Sequence, residues 1–392
     1  MPSPSLPPDP SSGTAPARER SHSSRIPCLD GLRAISICGV LFAHSQGTQG
    51  FPVVKAFKWL GDLGNLGVRV FFVISGYLIT HLLIQEFRLA GRISLKGFYI
   101  RRAFRIFPAF YVFLGCVALL TLAGLVALSW VDLAYAGTYT INFIERKSWV
   151  VGHLWSLSVE EQFYLLWPMC VVGLGWSRAT KLTLALLILC PFLRITSYYF
   201  LPASQGLITK AFPTICDTIA TGCALACLRG RLSASPRYLA FLKSPWFLLV
   251  PVLVLASNAY ASHTRPDLIV GHSIRNLGIG LCLDWCLRNP LSLMGKILNW
   301  SPLVWMGTLS YSLYLWQQIF LNRNSDAFFC IFPLNVFLAF ALAVISYYVI
   351  EKPCLRARVR FFPGSNQPSG PPGSRSRQVV PAATGGSGVA NP

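Results

Sequence analysis

The chain has 392 residues, of which 53% are hydrophobic and 12% charged, with a mean hydropathy of +0.52. Soluble domains carry about a quarter charged residues, so too few polar groups exist here to coat a soluble globule, and the class is a polytopic membrane protein. The net charge of +20 is not the mark of a nucleic-acid partner, because the basic residues punctuate the ends of apolar runs, as membrane topology requires.

Those runs recur near the length of a membrane-crossing helix, about 20 residues, rather than as alternating ten-residue strands. The pattern predicts an all-α fold, a polytopic bundle of about ten transmembrane helices. Approximate limits are 27–47, 66–87, 104–128, 153–175, 180–201, 211–229, 243–261, 271–288, 301–321 and 328–351, with 131–145 as a short re-entrant helix. The eighth run is the weakest, since it holds Arg275 and Asp284. Residues 1–25 and 361–392 are rich in Pro, Gly and Ser and read as disordered tails. Residues 26–360 then form one membrane domain. No cleavable small-residue site follows the first apolar run, so that run is expected to stay as a helix.

Orientation follows from the basic loops. Arg88, Arg92, Lys96, Arg101, Arg102 and Arg105 fall between the second and third runs, and Arg229, Arg231, Arg237 and Lys243 between the sixth and seventh. Their excess over the alternate loops places both termini in the cytoplasm. The twelve cysteines sit mostly inside apolar runs, without metal-ligand spacing, and are read as small packing residues. There is no P-loop, nucleophile elbow or HExxH motif.

The first run carries Asp30, Arg33 and His44. Arg33 and His44 are eleven residues apart, about three turns, so they share a face roughly 16 Å apart along the axis. A charge in a membrane helix costs a few kcal/mol or more and usually faces an interior cavity. A neutral imidazole can accept a hydroxyl proton and return it to a leaving group, which makes His44 the candidate base. Asp30, three residues before Arg33, can pair with it or meet substrate. In the second run, Ser75 and Gly76 predict close helix packing, and Arg69 faces either a cavity or the outer interface.

Arg102 and Arg105 share one helix face, where guanidinium forks suit phosphate; a lipid-phosphate anchor is the alternative. In HLWSLSVEEQFY, Ser156 and Glu160 are four apart, and the adjacent Glu160 and Glu161 need a cation, water or a cavity. They either serve an acceptor or open a helix at the interface. Tyr311, Tyr314 and Gln318 share a face, as a binding stripe or as packing glue. Glu351 and Lys352 read as an interfacial pair.

Together these motifs resemble acyltransferase family 3, integral membrane O-acyltransferases of surface polysaccharides and related acceptors. The matching pieces, in order, are LDGLRA at 29–34, the Arg33–His44 spacing, GVRVFFVISGYLIT at 67–80, RRAFRIFP at 101–108, HLWSLSVEEQFYLLWP at 153–168, SYSLYLW at 310–316 and IEKP at 350–353. Members often carry histidine after the SYSLYLW-type motif, where Gln317 stands here. The resemblance implies acyl-CoA, usually acetyl-CoA, as cosubstrate, no permanently bound cofactor or metal, and a carbohydrate or glycolipid acceptor. It implies His44 as catalytic residue, Arg33 as its partner, and Arg102 and Arg105 for the donor. Asp30, Ser156, Glu160, Glu161 and Tyr311 would support the acceptor. The place would be the bacterial cytoplasmic membrane, among its lipids. Some members add a C-terminal hydrolase-like domain; none is expected here, so the reaction would finish within the membrane domain. The competing expectation is a glycan or lipid-intermediate transporter or flippase without catalysis; a third is a membrane scaffold whose polar residues only pack helices.

Overall fold

The computed structural model describes residues 26–52, 63–201, 206–259, 261 and 267–362. The expected tails lie outside these limits, except that Phe361 ends the last helix and Phe362 follows it. The described residues contain helices and no strand. In chain order they are α1 (Leu29–Ser45), α2 (Leu63–Ala90), α3 (Leu95–Leu122), α4 (Trp130–Gly137), α5 (Trp149–Gly152), α6 (Leu154–Phe200) and α7 (Phe212–Ser233). There follow α8 (Pro236–Lys243), α9 (Leu249–Ala259), α10 (His272–Arg288), α11 (Leu293–Leu298), α12 (Ser301–Phe320), α13 (Leu334–Ser346) and α14 (Lys352–Phe361).

The fold is an all-α membrane bundle. Each of the ten expected runs coincides with helix, but fewer of these helices are long and apolar enough to cross a membrane unaided. Among the described residues those are Leu63–Ala90, Leu95–Leu122, Trp149–Phe200 and Leu334–Phe361. The pair α8 and Pro245–Ala259, bent by 69°, makes a fifth if taken as one span. Other helices carry inward-facing charge, such as Asp30 and Arg33 on α1 and Asp217 on α7. The re-entrant segment becomes α4 and a short 3-10 turn at Ile141–Phe143.

Local sequence explains the breaks. α6 runs through both the fourth and fifth expected spans, and Gly175, at φ +75°, is its non-helical link. A left-handed residue there separates the two spans at little steric cost only because it is glycine. Ser94 caps α3 by accepting from Gly97 N. Large apolar side chains such as Leu119, Ile188, Phe192, Leu253 and Phe337 are exposed on the outside, where lipid tails would cover them.

α1 packs between α2 and α12, and α2 packs on α7. The α2–α7 crossing is a glycine seam. A methyl on Gly76 would strike the Ile219 carbonyl, and one on Gly222 the Val73 carbonyl. Small residues let membrane helices meet backbone to backbone, which is the close packing that Ser75–Gly76 predicts.

Candidate active site: three adjoining cavities

α1, α2, α3, α6 and α12 surround a cavity lined by Arg33, Arg102, Arg105, Glu160, Glu161, Ser156 and Tyr311. Residues from four separate sequence motifs therefore meet at one place. Arg102 and Arg105 both reach it, as their shared helix face predicts, whereas Arg101 on another face pairs with Glu86 at 2.8 Å. Arg105 is exposed and Arg33 and Arg102 half-buried, so the cationic lining runs from surface to interior.

The arginines are only partly compensated. Arg33 lies 3.5 Å from Asp30, a loose ion pair. Arg102 sits over the rings of Tyr164 and Phe98, at 5.4 and 5.8 Å, a cation–π arrangement. Among the described residues, neither Arg102 nor Arg105 donates a hydrogen bond, which leaves both guanidinium forks available to an anionic guest. Glu160 is fixed: Ser75 Oγ donates to its Oε1 at 2.6 Å, and Tyr164 OH donates to Ser75 at 3.2 Å. Tyr311 OH donates to the Ile106 carbonyl at 2.8 Å, tying α12 to α3 beside the arginines.

His44 opens on a second cavity, lined also by Glu145, Arg146, Lys147, Trp149, His153, Trp155, Lys210, Gln318 and Arg323. Arg33 is not among its lining residues, so the shared face of α1 opens on two cavities. They adjoin: Val68 and Tyr314 line both. Tyr314 is locked in place, its hydroxyl donating to the His153 carbonyl at 2.9 Å and also bonded to Ser156 Oγ.

Both nitrogens of His44 are engaged. Nδ1 lies 3.1 Å from Gln317 Oε1, and Nε2 lies 3.3 Å from Gln318 Nε2. Gln318 Oε1 accepts from His153 N at 3.2 Å, which assigns its amide nitrogen to the His44 side. The consistent tautomer of His44 is therefore neutral, with the proton on Nδ1 and the Nε2 lone pair facing the Gln318 amide. The Trp149 ring meets the imidazole edge-on at 5.9 Å. Lys147 lies outside the apolar spans. Burial, and then the nearby Lys210, hold its ammonium down to about 8.

A third cavity also touches Val68 and is lined by Arg69, Asp267, His272, Arg275 and Asn258. Behind it is a buried charge network. Arg194 donates to both carboxylate oxygens of Asp217 at 2.9 Å. Asn276 links Asp217 (3.1 Å) to Arg69 (3.1 Å), Arg69 reaches His272 at 2.8 Å, and Arg275 pairs with Asp267 at 2.6 Å. Arg69 thus faces a cavity rather than the interface. Arg275, inside the eighth expected run, belongs to this core, and Asp284 is held by Arg288 at 2.6 Å and Tyr238 at 2.9 Å. Glu351 turns inward to Ser312 and Lys352 lies over the Tyr348 ring at 4.8 Å, in place of the expected interfacial pair.

Sequence reasoning did not connect Arg194, Asp217, His272 and Asn276, nor place Gln317 and Gln318 on His44. For Arg194 and Asp217 the available signal was a charge inside an apolar run. Among the described residues no group of His, Cys, Asp and Glu could hold a metal ion.

Residues 26–352 match a family profile described as an acyltransferase domain. The chain is 30% identical over 372 residues to the protein YrhL of Bacillus subtilis, covering 87% of this chain and 56% of that one. It is 28% identical over 361 residues to the peptidoglycan O-acetyltransferase OatA of Listeria monocytogenes, covering 84% and 55%. With the O-acetyltransferase OatA of Staphylococcus aureus the identity is 29% over 377 residues, covering 88% and 60%. The chain thus spans a little over half the length of these relatives. No solved structure matches it.

Proposed function

The chain belongs to acyltransferase family 3, and from that premise we propose that it moves an acyl group, acetyl in the simplest case, from acyl-CoA to a hydroxyl of a carbohydrate acceptor. The observation that carries this reading is the placement of three arginines in one cavity, with His44 in the next and Val68 and Tyr314 lining both. Peptidoglycan, the substrate in the name of the Listeria relative, is one such acceptor.

With both termini in the cytoplasm, the arginine cavity faces inward and His44 outward. Arg102 and Arg105 hold the phosphates of CoA by bidentate bonds. The thioester end of the flexible pantetheine arm reaches inward past Arg33 to the Val68–Tyr314 wall. The acceptor hydroxyl displaces the Gln318 amide from His44 Nε2. His44 takes the hydroxyl proton as that oxygen attacks the thioester carbon; the C–S bond then breaks, and the imidazolium returns the proton to the departing CoA thiolate. Arg33 steadies the CoA moiety or the developing oxyanion. Glu160, Glu161 and Ser156 orient the reactants, and Asp30 holds Arg33. The setting is the bacterial cytoplasmic membrane.

The test is radiolabelled acetyl transfer by the purified protein in liposomes, with a soluble oligosaccharide as acceptor. His44→Ala should lose about 10²–10⁴ of the rate, the usual share of general-base catalysis, at unchanged protein level. Substantial residual transfer would sink the histidine mechanism. Substrate movement across the liposome without transfer would make the protein a transporter.

A further inference from the structure

The cavity around His44 carries more charge than its chemistry needs. Arg146, Lys147, Lys210 and Arg323 line it against one carboxylate, Glu145. That carboxylate is already engaged, since Gly206 N donates to Glu145 Oε1 at 3.1 Å. Lys147 Nζ and Arg323 Nη2 each reach one backbone carbonyl, at 2.9 and 3.3 Å. Arg146 and Lys210 have no acceptor among the described residues. Four cations thus line one void from three separate segments, and two of them have no acceptor among the described residues.

Their place is also against the topological rule. On the orientation proposed above, this end of the bundle faces outward, where loops are depleted in Lys and Arg. A cluster there opposes the insertion bias that the rest of the chain follows, so a ligand is the better account of it. The same cavity presents Trp149 and Trp155. Arg323 lies over the Trp149 ring at 4.6 Å, and Trp149 Nε1 donates to the Leu321 carbonyl at 3.1 Å, which holds the indole rigid. Rigid aromatic faces beside polar groups suit a sugar ring, apolar on its face and polar at its edge.

We propose that the acceptor is an anionic carbohydrate: besides the hydroxyl delivered to His44 it carries a carboxylate or phosphate, which Arg146 and Lys210 bind at the cavity mouth. This rests on the acyl-transfer reading and names the charge of its acceptor. Trp149 packs on the sugar, and Lys147 and Arg323 add long-range attraction, which salt screens beyond about 8 Å at physiological ionic strength.

The experiment compares acetyl transfer to a neutral tetrasaccharide, a uronic-acid tetrasaccharide and a phosphorylated tetrasaccharide, at low and at high salt. An anionic acceptor should show a KM about tenfold below the neutral one at low salt, one tenfold step being about 1.4 kcal/mol. The gap should narrow in high salt. Whichever of the uronate and the phosphate shows the lower KM identifies the anion. In Arg146→Met/Lys210→Met the preference should fall toward unity, and in the charge-keeping Arg146→Lys/Lys210→Arg it should persist, which separates lost charge from lost folding. Equal KM values for neutral and anionic acceptors in the wild type would overturn the proposal, as would a preference that survives removal of both cations. Equilibrium binding of the labelled uronic-acid tetrasaccharide separates the two readings. Salt-sensitive binding lost in the Met variant, in a protein that transfers nothing, would uphold the anion site and refute acyl transfer. Competition by anionic phospholipid alone, with no effect of any sugar, would make the site a lipid-headgroup contact and overturn the proposal.

Discussion

Gln317 Oε1 lies 3.1 Å from His44 Nδ1, a bond between α12 and the end of α1 that fixes which imidazole nitrogen carries the proton. An acceptor on Nδ1 keeps the proton there and leaves Nε2 basic. Gln317→Leu removes the acceptor at similar volume. Its kcat should fall by less than that of His44→Ala, within the ~10²–10⁴ span of general-base catalysis, with KM for acetyl-CoA unchanged. Equal kcat in Gln317→Leu and wild type would show that the tautomer needs no such support.

Arg102→Lys keeps the charge but loses the planar fork. If CoA phosphate is held bidentately, KM for acetyl-CoA should rise about tenfold or more, since charged hydrogen bonds contribute about 1.5–3 kcal/mol each. Binding of free CoA, followed by calorimetry, should weaken in parallel. An unchanged affinity would remove Arg102 from the donor site.

Val68 is the residue common to all three cavities. Val68→Phe adds bulk where, on the proposed mechanism, the thioester meets the acceptor. Transfer should fall well below wild type while CoA binding at the arginines and the helical circular-dichroism signal persist. Full activity in this variant would place the reaction elsewhere.

The Arg194–Asp217 pair is buried on both sides, at 0% and 2% side-chain exposure. Removing one partner of such a pair costs about 3–5 kcal/mol because the other charge is left buried. Asp217→Ala should therefore lower the melting temperature in detergent by several degrees, and Arg194→Met/Asp217→Leu should recover most of it. If the single variant melts like wild type, the network does not hold the fold.

Lys147 should make acceptor use depend on pH. Its ammonium is held down to about 8 by burial and by Lys210, with Asp132 opposing; Glu145, Arg146 and Arg323 share its cavity. Rising pH through about 8 removes one positive charge, so KM for an anionic acceptor should climb there, and Lys147→Met should flatten the climb. Stability runs the other way. The folded value lies below the ordinary 10.5, so the unfolded chain binds more protons between about 8 and 10.5, and this group's contribution grows as pH rises through that window. A KM profile identical in wild type and variant would remove Lys147 from acceptor binding.

What could be read from the sequence was whatever lies on one helix face. Arg102 with Arg105, Ser156 with Glu160, and Tyr311 with Tyr314 each share a cavity because spacings of three and four residues map directly onto a surface. Pairings between helices are not written that way. Asp217 and Arg194 are 23 residues apart and Asp267 and Arg275 eight, and only the packing of α6, α7 and α10 decides which charge meets which. Gln317 was visible as a substitution in the motif, but its contact with α1 was not, since 273 residues separate it from His44. The helix count suffers from the same source: inward-facing charges lower the hydropathy of helices that coincide with expected spans.

The Val68–Tyr314 wall has an electrical meaning. On the proposed orientation the two cavities open toward opposite faces of the membrane, and a water-filled passage joining them would conduct protons and ions. On that orientation Val68 and the hydrogen-bonded Tyr314, which line both cavities, would form the barrier that lets each cavity take a charged guest without a leak. Tyr314→Ala should thus make liposomes lose a pH gradient faster than those holding the wild-type protein, and an equal rate of decay would show that the seal lies elsewhere.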